Sequence, residues 1–435
     1  MKRPKLAGAL LFGGCLLTYL MFVKHHHFTS QPAAYRPPPH LRPGSDRTGE
    51  PASADGRRFQ YGIMFDAGST GTRIHIFKFQ MESKDAPKLA HETFRAIKPG
   101  LSAYADDPQK CDAGVQELLE VAKSTVPPSM WISTPVALRA TAGLRLLPGA
   151  KADHLLDRVR ALFQDSPFLS RDDSVSIMDG TDEGISAWIT INFLTGALRG
   201  SDSHTVGMLD LGGGSTQITF SPHDEKTVQM SPIDYIRSFQ MFNITHTVYT
   251  HSYLGLGLMS ARLAVLGGVE APPLGGSTEL VSPCLPPEFS GGWEHADVFY
   301  AVKGQKAGEP AYEACLAKVE KVLYRKVMKA SEVEDADFYA FSFYYDRAVD
   351  LGVIDEKKEG SIRVSDYTEA AKRVCSDGPL QNPFLCLDLV YISVLLRELG
   401  FPPHKQLRLA RTIDQVETSW ALGAAFHYIQ SLKRP

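Results

Sequence analysis

Tyr61-Gly62-Ile63-Met64-Phe65-Asp66-Ala67-Gly68-Ser69-Thr70-Gly71-Thr72-Arg73-Ile74-His75-Ile76-Phe77 is the stretch from which the fold is read. A short apolar run ends on an acid, a turn of glycines and hydroxyls follows, and apolar alternation then resumes. That pattern predicts a strand, a tight turn and a second strand. Gly68 and Gly71 can adopt conformations closed to other residues, so that successive backbone N–H groups converge on an anion. Ser69, Thr70 and Thr72 add neutral donors. The acid is out of place beside a phosphate unless a divalent cation lies between them.

The pattern recurs one domain length later. Val206-Gly207-Met208-Leu209 leads to Asp210, then Leu211-Gly212-Gly213-Gly214-Ser215-Thr216-Gln217, then Ile218-Thr219-Phe220. Either segment alone could be an ordinary hairpin. Two of them predict a duplicated α/β fold whose halves face each other across a cleft, each half offering one phosphate cradle and one carboxylate. Neither loop is a Walker A sequence, so no P-loop lysine is expected. Tyr253-Leu254-Gly255-Leu256-Gly257-Leu258 lacks the third glycine of a dinucleotide fingerprint and reads as a structural turn.

Two further stretches lie between the loops. Pro135-Val136-Ala137-Leu138-Arg139-Ala140-Thr141 predicts a strand running into a bend, with Thr141 as a hydroxyl donor. Gly180-Thr181-Asp182-Glu183-Gly184 precedes an apolar helical run that Thr181 or Asp182 could cap. Glu183 falls in the first turn, where the helix dipole alone favours a carboxylate.

The chain has 435 residues, 43% of them hydrophobic, and a net charge of −3, the balance of a globular protein with no basic excess for a nucleic-acid partner. Its 36 glycines and 28 prolines exclude a long helical bundle. Three basic residues precede an uncharged run over 6–23, which as a helix would span roughly 27 Å. The positive-inside rule then leaves the tip cytosolic and the bulk of the chain lumenal. A retained anchor is preferred to a cleaved signal peptide. Residues 28–58 contain six prolines and read as a stem. Cys284, Cys315, Cys375 and Cys386 form an even set that permits three connectivities, of which Cys284–Cys315 with Cys375–Cys386 is the simplest. Asn243-Ile244-Thr245 is an N-glycosylation sequon.

Residues 66–73, 137–145, 180–188, 206–217 and 417–423 resemble, in order, the five apyrase conserved regions of the ectonucleoside triphosphate diphosphohydrolases, and the resemblance covers about residues 59–430. It implies the two-lobed actin, Hsp70 and sugar-kinase (RNase H-like) fold, with lobe I at 59–180 plus 414–435 and lobe II at 181–413, behind an anchor at 1–27 and a stem at 28–58. Asp66 and Asp210 match positions that hold Ca²⁺ or Mg²⁺, largely through water, with Trp420 beside the ion. Gly68, Ser69, Thr70, Gly71, Thr141, Gly213, Gly214, Ser215 and Thr216 match phosphate-binding positions. Glu183 matches the base that activates the attacking water, and Gln217 a residue that orients it. Tyr344 and Tyr345 lie where the family stacks the nucleobase. The single anchor and few cysteines resemble the Golgi and secreted subgroup. That subgroup implies a monomeric type II membrane protein, with cell-surface or secreted forms after cleavage in the stem. Its expected substrates are GDP, UDP and IDP, with triphosphates used more weakly. A sugar kinase, an exopolyphosphatase and a non-hydrolysing actin-like nucleotide binder are the competing readings. The combination of Asp66, Glu183 and Asp210 argues against a mere binder.

Overall fold

The computed structural model describes residues 58–432, apart from 82–86, 199–203, 270–277, 297, 307–310, 357 and 377–381. The expected anchor and stem lie outside these residues. Among the described residues, no helix is long and apolar enough to cross a membrane.

The first sheet is built from β1 (Arg58–Ala67), β2 (Thr72–Met81), β3 (Lys88–Ile97), β4 (Val136–Ala140) and β5 (Val175–Ile177) in the order β3-β2-β1-β4-β5. The first three strands form an antiparallel meander, and β4 and β5 run parallel to β1. The second sheet contains β6 (Gly207–Leu211), β7 (Ser215–Phe220), β8 (Ile236–Met241) and β9 (Ile244–Leu254). A small sheet of β10 (Glu279–Ser282), β11 (Ser290–His295) and β12 (Val298–Gly304) follows. After it, β13 (Phe338–Ser342), β14 (Gly360–Arg363) and β15 (Gln406–Leu409) complete the second sheet in the order β14-β15-β13-β6-β7-β9-β8. Within it, β6, β7 and β9 are antiparallel, and β13 and β15 run parallel to β6. The run β9-β7-β6-β13-β15 therefore repeats β3-β2-β1-β4-β5 strand for strand. The duplication expected from two loops extends to whole sheets.

Side-chain alternation sets what each sheet face does. Ile63, Phe65, Ile74 and Ile76 point to an outer core that packs on the helices Asp112–Thr125 and Gly149–Gln164. Leu209, Leu211, Ile218 and Phe220 do the same in the second sheet, against helices that include Leu258–Leu266 and Leu385–Leu399. Met64, Phe77 and Phe79 of one sheet, with Met208, Tyr339 and Phe341 of the other, share a central core with the helices Gly180–Leu194 and Ala421–Leu432. Asp66 and Asp210 follow Met64 and Met208 by two residues, so both acids are on the inner faces.

Cys284 is bonded to Cys315 and Cys375 to Cys386, the simplest of the three connectivities, while Cys111 is buried and free. Asn243 is exposed at the two-residue turn joining β8 to β9, with positive φ at Phe242 and Asn243 as a type I′ hairpin turn requires. One local expectation is corrected. The helix begins at Gly180, two or three residues earlier than a cap at Thr181 or Asp182 would place it, and its N-cap is Asp179, whose carboxylate accepts the Thr181 amide at 2.8 Å. Thr181 and Asp182 are already inside the helix and cannot cap it.

The two central helices cross where Gly423 meets Ser186, and a Cβ on Gly423 would overlap the Ser186 carbonyl. Gly423→Ala should force the helices apart and lower the unfolding free energy by about 1–3 kcal/mol. Chemical denaturation beside Gly149→Ala, where nothing lies within 4 Å of the added carbon, checks this. Equal midpoints for the two variants would contradict the crossing.

Candidate active site

Asp66 and Asp210 are the penultimate residues of β1 and β6, and each heads a loop closed in the same way. Gly68 N–H donates to the Gly71 carbonyl at 3.0 Å, and Gly212 N–H donates to the Ser215 carbonyl at 3.0 Å. In both hairpins the acid is paired with a residue of the return strand at the same sequence spacing: Asp66 with Arg73, Asp210 with Gln217. The loops meet face to face, because a Cβ on Gly213 would overlap Ser69 Oγ and lie 2.9 Å from Thr70 Cγ2. The turn at 255–257 is indeed structural. Gly255 has φ +80, and Gly257 packs so closely on the backbone of Gly213 and Gly214 that it braces the second loop.

Between the loops is a cleft of about 570 Å³ whose walls include Asp66, Gly68, Ser69, Thr70, Gly71, Thr141, Glu183, Asp210, Gly213, Gly214, Ser215, Tyr345 and Trp420. Three positions fall behind the wall. Thr216 spends its hydroxyl on the Asp210 carbonyl at 2.8 Å. Tyr344 is 0% exposed in the outer core, whereas Phe343 and Tyr345 line the cleft. Gln217 is 1% exposed, yet its Nε2 lies 3.2 Å from Glu183 Oε2 and 2.8 Å from both Ser215 Oγ and Ser252 Oγ. It holds the acid from below.

The electrostatics centre on three buried carboxylates. Glu183 is ion-paired with Arg145, but burial outweighs the guanidinium and, with Asp210 and Asp66 nearby, pushes its carboxyl up to about 8. Burial likewise raises Asp210, and Asp66 adds to that shift against a 2.7 Å hydrogen bond donated by Ser342 Oγ. Asp66 Oδ2 accepts from Arg73 Nη1 at 2.9 Å, while its buried Oδ1 has no partner among the described residues. Such an orphaned oxygen facing a second carboxylate suits a hard divalent cation. Among the described residues no three His, Cys, Asp or Glu side chains converge as a direct cage, so the fit is to an ion that keeps much of its water.

Trp420 is held indirectly. His75 Nδ1 and Glu92 Oε1 are 2.7 Å apart in a buried pair, and Glu92 Oε2 accepts the Glu417 amide at 2.7 Å, tying the segment that carries Trp420 to the first sheet. Arg73, Arg145, Ser252, Ser342 and Phe343 were not picked out from sequence. For Arg73 a signal existed, since it follows Asp66 at the spacing by which Gln217 follows Asp210. A second cavity of about 540 Å³, lined by Arg139, Asp179, Asp182 and His427 among others, includes none of Asp66, Glu183 and Asp210.

The sequence pattern of the GDA1/CD39 (nucleoside phosphatase) family matches residues 53–434. The chain is 56% identical over 423 residues to ectonucleoside triphosphate diphosphohydrolase 6 of Homo sapiens, covering 96% of this chain and 87% of that protein. It is 52% identical over 379 residues to nucleoside diphosphate phosphatase ENTPD5 of Homo sapiens, covering 86% and 88%. Among solved structures, a nucleoside triphosphate hydrolase from Neospora caninum superposes with a TM-score of 0.60 at 16% identity, over 87% of this chain and 93% of that one. That likeness is one of fold.

In the cation-free protein the Glu183 carboxyl is expected to lose its proton near pH 8. Arg145→Ala removes an opposing positive charge and should raise that midpoint by about one unit or more. Infrared difference spectra against Glu183→Gln read the protonated carboxyl directly. A midpoint below 5, or one that falls in Arg145→Ala, would contradict the electrostatics.

Proposed function

The chain belongs to the GDA1/CD39 family of nucleoside phosphatases, and from that premise we propose that it removes the terminal phosphate of nucleoside diphosphates. It is a hydrolase of nucleotide phosphates. Family membership sets aside the sugar kinase and the non-hydrolysing binder. The finer reading is that GDP, UDP and IDP are preferred to triphosphates, that Ca²⁺ or Mg²⁺ is required, and that the reaction takes place in the secretory lumen. The observation that carries it is the convergence of Asp66, Glu183 and Asp210 between two phosphate cradles.

The residues divide the work as follows. Backbone N–H groups of the two loops, with the hydroxyls of Ser69, Thr70, Thr141 and Ser215, bind and orient the phosphate chain. Asp66 and Asp210 would hold a divalent cation through its water, with Trp420 beside it. When bound, such an ion neutralises phosphate charge and favours attack by water. Glu183 accepts a proton from the attacking water at its carboxylate, and Gln217 fixes that carboxylate from below. The water oxygen bonds to the terminal phosphorus, the bridging P–O bond breaks, and orthophosphate and the nucleoside monophosphate leave. Only the ionised base can act, so turnover rises with pH through the Glu183 midpoint. Phe343 and Tyr345 offer the nucleobase an aromatic wall.

Several features support the compartment and substrate class. Two disulfides fit an oxidising lumen, and Asn243 is exposed where a glycan could be attached. The uncharged run at 6–23 supports a Golgi type II anchor, with lobe I at 59–180 plus 414–435 and lobe II at 181–413 forming a monomeric body. The name of the 52% identical human relative specifies diphosphates.

Glu183→Gln is expected to lower turnover about 10²–10⁴-fold while nucleotide binding persists; near-normal phosphate release would remove Glu183 as the base. Chelation with EDTA should stop the reaction, and Ca²⁺ or Mg²⁺ should restore it. Phosphate release measured across GDP, UDP, IDP, GTP and UTP should rank the diphosphates first, and the opposite ranking would overturn the substrate assignment.

A further inference from the structure

Arg73 occupies in the first half the place that Gln217 occupies in the second. Each is paired in register with the loop acid, Arg73 with Asp66 and Gln217 with Asp210, and each loop is closed by the same backbone bond. At this register the return strand points its side chain onto the inner face. Gln217 uses that direction to reach Glu183, whereas Arg73 donates to Asp66 Oδ2 at 2.9 Å. Its guanidinium is pressed against the phosphate loop: a Cβ on Gly68 would lie 2.8 Å from Arg73 Nη1. The side chain lines the cleft and is 33% exposed, so it can reorient.

The charges in the cleft give this position a role. Asp66, Glu183 and Asp210 face a substrate that is itself a polyanion. Arg145 is committed to Glu183, and Lys98 and Arg411 also line the cleft, but Arg73 is the one paired with Asp66 beside the first loop. Arg73 has five N–H donors on a planar fork suited to phosphate oxygens, and only one is engaged by Asp66. We propose that Arg73 is a substrate-binding residue that contacts the phosphate chain beside the first loop and competes with the divalent cation for Asp66. In the ligand-free protein it supplies the countercharge at Asp66. When cation and nucleotide enter, Asp66 turns to the cation's water and the guanidinium to a phosphate oxygen. The inference rests on the assignment of Asp66 to the cation made under the proposed function.

A brace that merely fixes Asp66 gives the opposite sign. Removing a brace loosens a ligand and weakens cation binding, whereas removing a competing positive charge strengthens it. Calorimetric titration of the full chain with Mg²⁺ or Ca²⁺ alone, and with GDP in EDTA, separates the two. Arg73→Ser is expected to bind the cation about three- to tenfold more tightly and cation-free GDP about tenfold more weakly. Arg73→Lys keeps the charge and should bind the cation as wild type does, with part of the GDP affinity. Unchanged or weaker cation binding in Arg73→Ser would overturn the proposal, as would unchanged GDP binding or a cation-free wild type that binds no GDP. Asp66→Asn makes the two levels distinguishable. If it loses cation binding while Arg73→Ser behaves as wild type, only the role of Arg73 fails; if it binds the cation normally, the cation site itself fails and this inference with it.

Discussion

Three carboxylates are held out of bulk water within one cleft, and the rest of the structure is arranged around that expense. Burial disfavours the charged form of each acid, and the neighbouring carboxylates add to it, which is why Glu183 and Asp210 are both raised. Two arginines offset part of this cost, Arg145 at Glu183 and Arg73 at Asp66, while Ser342 and Gln217 supply hydrogen bonds. Three buried carboxylates only partly offset in this way suit the arrival of a divalent cation, as proposed above. Pre-placed donors around developing charge make the largest contribution in many hydrolytic sites.

The acids converge because the chain uses one design twice. A meander of three antiparallel strands, extended by two parallel strands, places an acid near the end of its first strand and a loop of glycines and hydroxyls just after it. Packing two copies with their inner faces together brings both acids into one cleft without any special local geometry. The helices Gly180–Leu194 and Ala421–Leu432 fill the space between the sheets, and the first of them delivers Glu183 from its N-terminal turn. Close approach at Gly423 and Ser186 lets that pair fit. The buried His75–Glu92 pair then ties the Trp420 segment down onto the first sheet.

Much of this was legible in the sequence because strand, acid and glycine-hydroxyl turn are local signals. The hairpins around Asp66 and Asp210, the strand leading to Thr141 and the first-turn position of Glu183 all follow from short runs of residues. The resemblance to the apyrase regions added the cation and base roles. The cap lies two or three residues before the positions that the sequence suggests, because Asp179 lies outside the apolar run that marks the helix. The resemblance implies a base-stacking role for Tyr344, yet that side chain is buried. Its burial is decided by which face of the helix Phe343–Asp350 meets the core, a tertiary fact. Arg145 and Ser342 reach the site from elements distant in sequence, and no local pattern announces such contacts.

The direct measurement is a crystal structure of the protein with Ca²⁺ and a non-hydrolysable nucleoside diphosphate analogue. The account requires one ion between Asp66 and Asp210, and a terminal phosphate seated against both glycine-rich loops with a water between it and Glu183. An ion or phosphate bound elsewhere, with those three side chains still bonded only to protein, would contradict it.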